Sequence, residues 1–171
     1  MRILWAHSHF GSGGGPKTIF SWALGLKKLN HEIFFIGHGG RLLKSIIENN
    51  FNFTPLSKER FRPSLIYAWE IYKFGRTINP DVLIGVGNQA SLEAALAAYL
   101  LKKPILFVFN LSPRESFWAG DPRWGFPQIS HLVTINQEFR QLCIDNYGWD
   151  EDKIHYIPER MIPQPFQEMK I

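Results

Sequence analysis

Apolar and polar positions alternate along this chain in two rhythms. Residues 2–7 form a short apolar run, and residues 10–16 follow as a loop holding four glycines. Over residues 17–29, Ile19, Phe20, Ala23, Leu24, Leu26 and Leu29 recur at helical spacing, and residues 32–36 are apolar again. The order predicted is strand, glycine loop, helix, strand. Pro16 suits the first helical position, where its missing N–H costs nothing. A helix opening on a glycine loop leaves unpaired N–H groups facing whatever lies above the strand tips, a favourable place for an anion.

The alternation continues. Residues 42–47 read as a short helix and 51–56 as a strand. Pro63 then opens a helix to about Arg76, carrying Leu65, Ile66, Trp69, Ile71, Tyr72 and Phe74. Asn79-Pro80-Asp81 stops it before a strand at 82–86. An alanine-rich helix at 91–101 precedes residues 105–109 (ILFVF), a continuous apolar run of the kind a central parallel strand shows. Residues 110–125 are a long loop with two prolines, two tryptophans, two arginines and two acids, and loops of that length in compact domains tend to carry function. A strand at 131–135, a helix at 137–147 and a strand at 153–157 complete the pattern. Parallel neighbours need crossover helices, so the expected fold is α/β: a doubly wound, mainly parallel, Rossmann-like sheet flanked by helices. Residues 1–160 form the domain, and 161–171 a tail or the start of a linker.

Composition narrows the class. The chain has 171 residues, enough for one domain with a substantial core. No apolar run is long enough to span a bilayer, and the N-terminus runs straight into a strand without a signal-peptide layout. A single cysteine, Cys143, sits in a helical setting that reads as structural, and a cytoplasmic location fits. The net charge of +4 favours anionic partners. Lys58, Arg60 and Arg62 interleave with Phe61, so peripheral contact with an anionic membrane is one reading and a solvated lead-in to a core helix the plainer one. The basic residues gather in no nucleic-acid motif, so no nucleic-acid partner is expected.

The glycine loop separates candidate chemistries. GSGGGPKT at 11–18 departs from a phosphate-binding P-loop because Pro16 stands where a backbone N–H is needed. A dinucleotide fingerprint starting at Gly11 would also want a third glycine at position 16. It would need an acid ending the second strand, where Gly37 and His38 stand. His7 and His9 lack a third ligand at recognisable spacing, so no metal is assigned. Glu115 and Asp121 lie in one loop without the frame that a carboxylate pair needs for glycoside hydrolysis.

Gly13-Gly14, an amphipathic helix, and Asn30-His31-Glu32-Ile33 resemble the opening of the N-terminal domain of GT-B glycosyltransferases. The resemblance is to the retaining family-four group, where a Gly-Gly loop precedes the first helix. Asn30 stands in place of that family's usual glycine, and asparagine tolerates a left-handed backbone. PDVLIGVG and PILFVFN are similar to the family's middle section. Lys153-Ile154 and Ile157-Pro158 match its closing motif, with Glu159-Arg160 replacing Asn-Gly. The resemblance covers about residues 1–160.

It implies the acceptor-side half of an enzyme that transfers a sugar from a nucleotide-sugar, with that donor as substrate and no cofactor. Ligands in such sheets sit beyond the C-terminal strand ends, which gathers residues 7–16, 37–41, 87–89 and 110–115 on one rim. The candidate binding residues are Gly13, Gly14, Gly15, Lys17, Asn110 and Arg114, with Arg41 as a further cation; no catalytic residue is assigned. Asn110 occupies the place where the family often has a histidine that positions the transferred sugar. The family's C-terminal half carries a Glu-x7-Glu motif that the residues after Pro158 do not contain. The expected partners are therefore a donor-binding domain or subunit and a sugar acceptor. A non-catalytic sugar-binding or partner-binding module, or half of another GT-B enzyme such as a nucleotide-sugar epimerase, are the alternatives.

Overall fold

The computed structural model describes residues 1–11, 14–57, 65–109 and 129–158. Its strands are β1 (Arg2–His9), β2 (Glu32–His38), β3 (Asn52–Pro55), β4 (Val82–Val86), β5 (Ile105–Phe109), β6 (Ile129–Thr134) and β7 (Ile154–Tyr156). Among the described residues they form one sheet in the order β3-β2-β1-β4-β5-β6-β7, and every neighbouring pair is parallel. The helices are α1 (Gly14–Lys28), α2 (Leu43–Glu48), α3 (Leu65–Ile78), α4 (Asn88–Leu101) and α5 (Gln137–Tyr147). The α/β doubly wound expectation holds, with the sheet wholly parallel.

Strand alternation divides the core into two layers. Leu4, Ala6, Phe34, Leu83, Phe107 and Leu132 pack against Tyr67, Ile71, Ala94, Ala98, Phe139 and Cys143 of α3, α4 and α5. On the opposite face Ile3, Trp5, Phe35, Ile84, Val108 and Val133 join Ile19, Phe20, Ala23 and Ile46 of α1 and α2. Apolar side chains line both faces of the sheet, which is why β4 and β5 read as largely apolar runs. Cys143 is buried and forms no disulfide.

Asparagine closes the first three helices. Asn30, Asn50 and Asn79 follow α1, α2 and α3 at φ 62°, 54° and 46°, the left-handed turn that asparagine enters more readily than most residues. The Asn30 substitution for glycine therefore keeps the turn that the sequence required. Beyond Asn79, Asp81 locks β4 to β1: its carboxylate accepts from Arg2 N–H at 2.7 Å, and its own N–H donates to Arg2 C=O at 2.8 Å.

One expectation changes at the start of α1. Residues 10–16 were expected to form a loop free of side-chain bulk. Gly14 and Gly15 instead belong to the helix, and Pro16 is its third residue, a first-turn place that proline tolerates because no intrahelical bond needs its N–H. Phe10 is fully buried, with its ring edge-on to Phe35 and Phe53 at 5.5 and 5.6 Å. Its N–H donates to His38 C=O, and its C=O accepts from Leu42 N–H. The chain leaving β1 is thus pinned to the end of β2, and only then turns into the glycines. Residues 110–125 and 161–171 lie outside the described residues. No helix among those described is long and apolar enough to cross a membrane.

α4 lies close on β4 because Gly85 has no side chain: a methyl there would come within 2.7 Å of Ser91 Cα. Gly85→Val should lower stability by about 3 kcal/mol through overpacking, a drop in Tm on the order of 10 °C. A thermal melt within 2 °C of the parent would show that α4 can shift without cost.

Candidate functional site

The topology itself locates the site. From β1 the chain winds outward through β2 and β3, then returns to place β4 on the other side of β1. Strand order reverses between β1 and β4, and in open parallel sheets the crevice beyond the strand ends at such a point is where ligands sit. The last register pair joining these strands is His7 with Val86, and His7 also pairs with Gly37 of β2.

Around that point the rim is built from small residues and helix starts. Gly87, at φ 73°, turns β4 directly into α4, and its N–H donates to Val108 C=O. Gly37 and Gly40 are glycines by necessity: a Cβ on either would run into the backbone of His7 or Phe10. α1 and α4 both begin on this edge, and neither has an acidic residue in its first turn. The positive ends of two helix dipoles therefore face the rim without an internal counter-charge, a setting that favours an anionic or hydroxyl-bearing ligand.

Of the expected binding residues, Gly14 and Gly15 lie in the first turn of α1, where backbone N–H groups have no intrahelical partner. Lys17 is an exposed cation in the same turn, and Arg41 is exposed beyond β2. Gly13, Asn110 and Arg114 lie outside the described residues, as do Glu115 and Asp121; Asn110 directly follows β5. Among the described residues no group of three or more His, Cys, Asp or Glu is arranged to hold a metal.

The structure adds polar groups that the sequence did not single out as site residues. His7 sits at the β1 tip on the α1 side, continuing the row of Ile3 and Trp5, with its ring 5.4 Å from that of Phe10. Both ring nitrogens are shut off from solvent and, among the described residues, have no hydrogen-bond partner. Burial, with a smaller repulsion from His9, lowers its pKa from 6.5 to about 4, so the imidazole is neutral at pH 7. His38, at the end of β2, is buried with its ring 5.1 Å from that of Tyr67. Ser91 and Glu93 are buried on α4, and among the described residues the Ser91 hydroxyl has no hydrogen-bond partner. An acid and a hydroxyl stand out in the sequence of an alanine-rich run, whereas the state of His7 depends on three-dimensional burial.

Comparison with solved structures identifies the architecture. A glycosyltransferase from Rickettsia africae ESF-5 superposes with a TM-score of 0.71 at 21% identity, over 92% of this chain and 42% of that one. HepE from Anabaena, in a structure with UDP and glucose, gives 0.75 at 14% identity, over 93% of this chain and 44% of that one. A UDP-GlcNAc 2-epimerase from Neisseria meningitidis bound to UDP-GlcNAc gives 0.66 at 13% identity, over 91% and 46%. The fold is that of the N-terminal domain of GT-B glycosyltransferases, and the chain spans less than half the length of each of these neighbours. Residues 12–159 match Glycosyltransferase Family 4, and the chain belongs to that family. No curated protein sequence matches it.

A histidine whose pKa is lower in the folded chain stabilises the fold fully above pH 6.5, and that contribution is lost as pH falls towards 4. The linkage amounts to about 3 kcal/mol at most. Urea unfolding of His7→Leu at pH 6.5 and pH 4.0 should therefore show a smaller acid loss than the parent by on the order of that amount. Equal losses would mean that His7 protonates freely in the folded chain.

Proposed function

We propose that this chain is the acceptor-side half of a retaining, nucleotide-sugar-dependent glycosyltransferase. The observation that carries the reading is the family match over 12–159, in a chain whose glycine-lined rim lies at the strand-order reversal. In this reading the Gly13–Gly15 stretch lies under the transferred sugar or the acceptor, where missing side chains let a pyranose ring approach main-chain N–H groups. The same reading assigns Asn110 and Arg114 to the other side of the ligand, with Asn110 offering hydrogen bonds to sugar hydroxyls. Lys17 and Arg114 offset the charge of the leaving diphosphate or of an anionic acceptor. Donor binding falls to a second half, supplied by further polypeptide or by another subunit, and turnover requires both.

A second reading has the support of epimerase neighbours, which share the fold. An enzyme of that kind would alter the nucleotide-sugar itself. The products separate the two: a new glycoside supports transfer, and an epimerised nucleotide-sugar supports the alternative. A chain that binds saccharide yet supports neither reaction with any donor-binding half is a non-catalytic module.

The acceptor side also has a surface suited to lipid. Leu65 and Trp69 are 77% and 52% exposed one helical turn apart on α3, beside exposed Ile66. The sequence just before them carries Lys58, Arg60 and Arg62. Apolar anchors next to cations suit peripheral contact with an anionic bilayer.

Two measurements follow. In the two-domain protein, Gly14→Trp should reduce transfer by about 100-fold, the scale of a misplaced substrate, with Tm within a few degrees of the parent. Undiminished transfer would remove the glycine turn from the site. Cosedimentation with phosphatidylglycerol vesicles should be lost in the Leu65→Ser, Trp69→Ser double variant; parent protein that ignores such vesicles would rule out the lipid contact.

A further inference from the structure

We propose that the His7 imidazole is a ligand-binding group of this rim, and that it takes a saccharide hydroxyl and not a phosphate. The inference rests on the reading of the chain as a sugar-binding half and names one contact within it. Three observations of different kinds support it.

The first is an unmet hydrogen-bonding demand. Nearly all buried polar side-chain atoms in folded proteins have a partner, yet among the described residues Nδ1 and Nε2 of His7, both closed to solvent, have none. The fold does not need a polar group here. Residues 3, 5 and 7 of β1 share one face, and Ile3 and Trp5 simply join the core beneath α1. An aliphatic side chain would continue that row. A polar residue that breaks the local pattern without structural return is the kind of inconsistency found at functional positions.

The second is position. His7 is the last residue of β1 in register with β4, at the point where strand order reverses. Its other register neighbour is Gly37, where even a methyl would strike the His7 carbonyl. The fully buried Phe10 ring stands against it at 5.4 Å and fixes the imidazole from the core side.

The third is chemical matching. A neutral imidazole presents one N–H donor and one lone-pair acceptor. A sugar hydroxyl both accepts and donates, so one or two hydroxyls satisfy both nitrogens. Phosphate at neutral pH offers mainly acceptors and leaves the imidazole lone pair facing oxygen. Burial and the nearby His9 oppose the positive charge that would correct the mismatch. The diphosphate of a donor therefore belongs elsewhere on the rim, and His7 reads the saccharide.

The test labels the histidine ring nitrogens of the whole 171-residue chain with 15N. At pH 7 the chain is titrated with methyl α-D-glucopyranoside, -mannopyranoside and -galactopyranoside, and separately with inorganic phosphate. At least one glycoside should shift both His7 ring resonances, and phosphate should shift neither. His7→Leu should weaken that glycoside by about 10-fold or more while melting no lower than the parent, since an unpaired buried polar group is removed. His7→Gln, which keeps a donor and an acceptor, should stay within about 3-fold of the parent. Glycoside binding undiminished in His7→Leu overturns this inference alone, as does a His7→Leu chain that melts well below the parent. Phosphate shifting the ring where glycosides do not also overturns it. A parent chain that binds none of the glycosides overturns it together with the sugar-transfer reading.

Discussion

The parallel ladder that seats β1 between β2 and β4 is the constraint from which the rest follows. It aligns the C-terminal strand ends on one edge, and it places the reversal of strand order next to His7 and Val86. Parallel pairing also forces each connection to cross the sheet, so α1 and α4 return with their N-termini on that same edge. The close approaches at Gly37, Gly40 and Gly85 tighten this arrangement. Each is a place where backbone meets backbone or helix meets strand, and each costs the chain a side chain.

Two demands compete at the β1 tip. Packing favours an apolar end to the strand, and Phe10 meets that demand, sealing the core and tying the exit of β1 to the start of the β2–α2 turn. Binding favours polar groups and free main chain, and these come immediately before and after: His7 within the strand, then the glycines that open α1. The plug and the proposed site thus occupy neighbouring residues. The expected open bend is shorter than the glycine content suggested, because Gly14 and Gly15 are helical and contribute first-turn N–H groups instead of a free loop.

Much of the architecture was legible because it rests on local signals. Val82–Val86 and Ile105–Phe109 were readable as continuous apolar runs, and Gln137–Tyr147 has Asn136 as its N-cap, whose side chain accepts from Phe139 N–H. Asn30 announced its left-handed turn by residue type, and Asn79-Pro80-Asp81 announced the end of α3. What the sequence could not supply was burial: nothing local distinguishes a neutral, unpartnered His7 from a solvated loop histidine. The start of α1 was misjudged for a related reason. Glycine has little helix propensity of its own, and the helix there is fixed by Ile19, Phe20 and Ala23 packing on the sheet. Of the site residues chosen from sequence, Gly14, Gly15 and Lys17 are brought to the rim by α1, while Gly13, Asn110 and Arg114 fall outside the described residues.

The central claim is that the edge of the sheet at the β1–β4 reversal is where a saccharide lies. The most direct measurement is an amide chemical-shift map of the chain titrated with the glycoside that it binds best. The account predicts that the perturbed amides cluster at Gly14, Gly15, residues 37–40 and Gly87. Shifts confined to the opposite ends of the strands, around Asn30, Asn79 and Lys103, would contradict it.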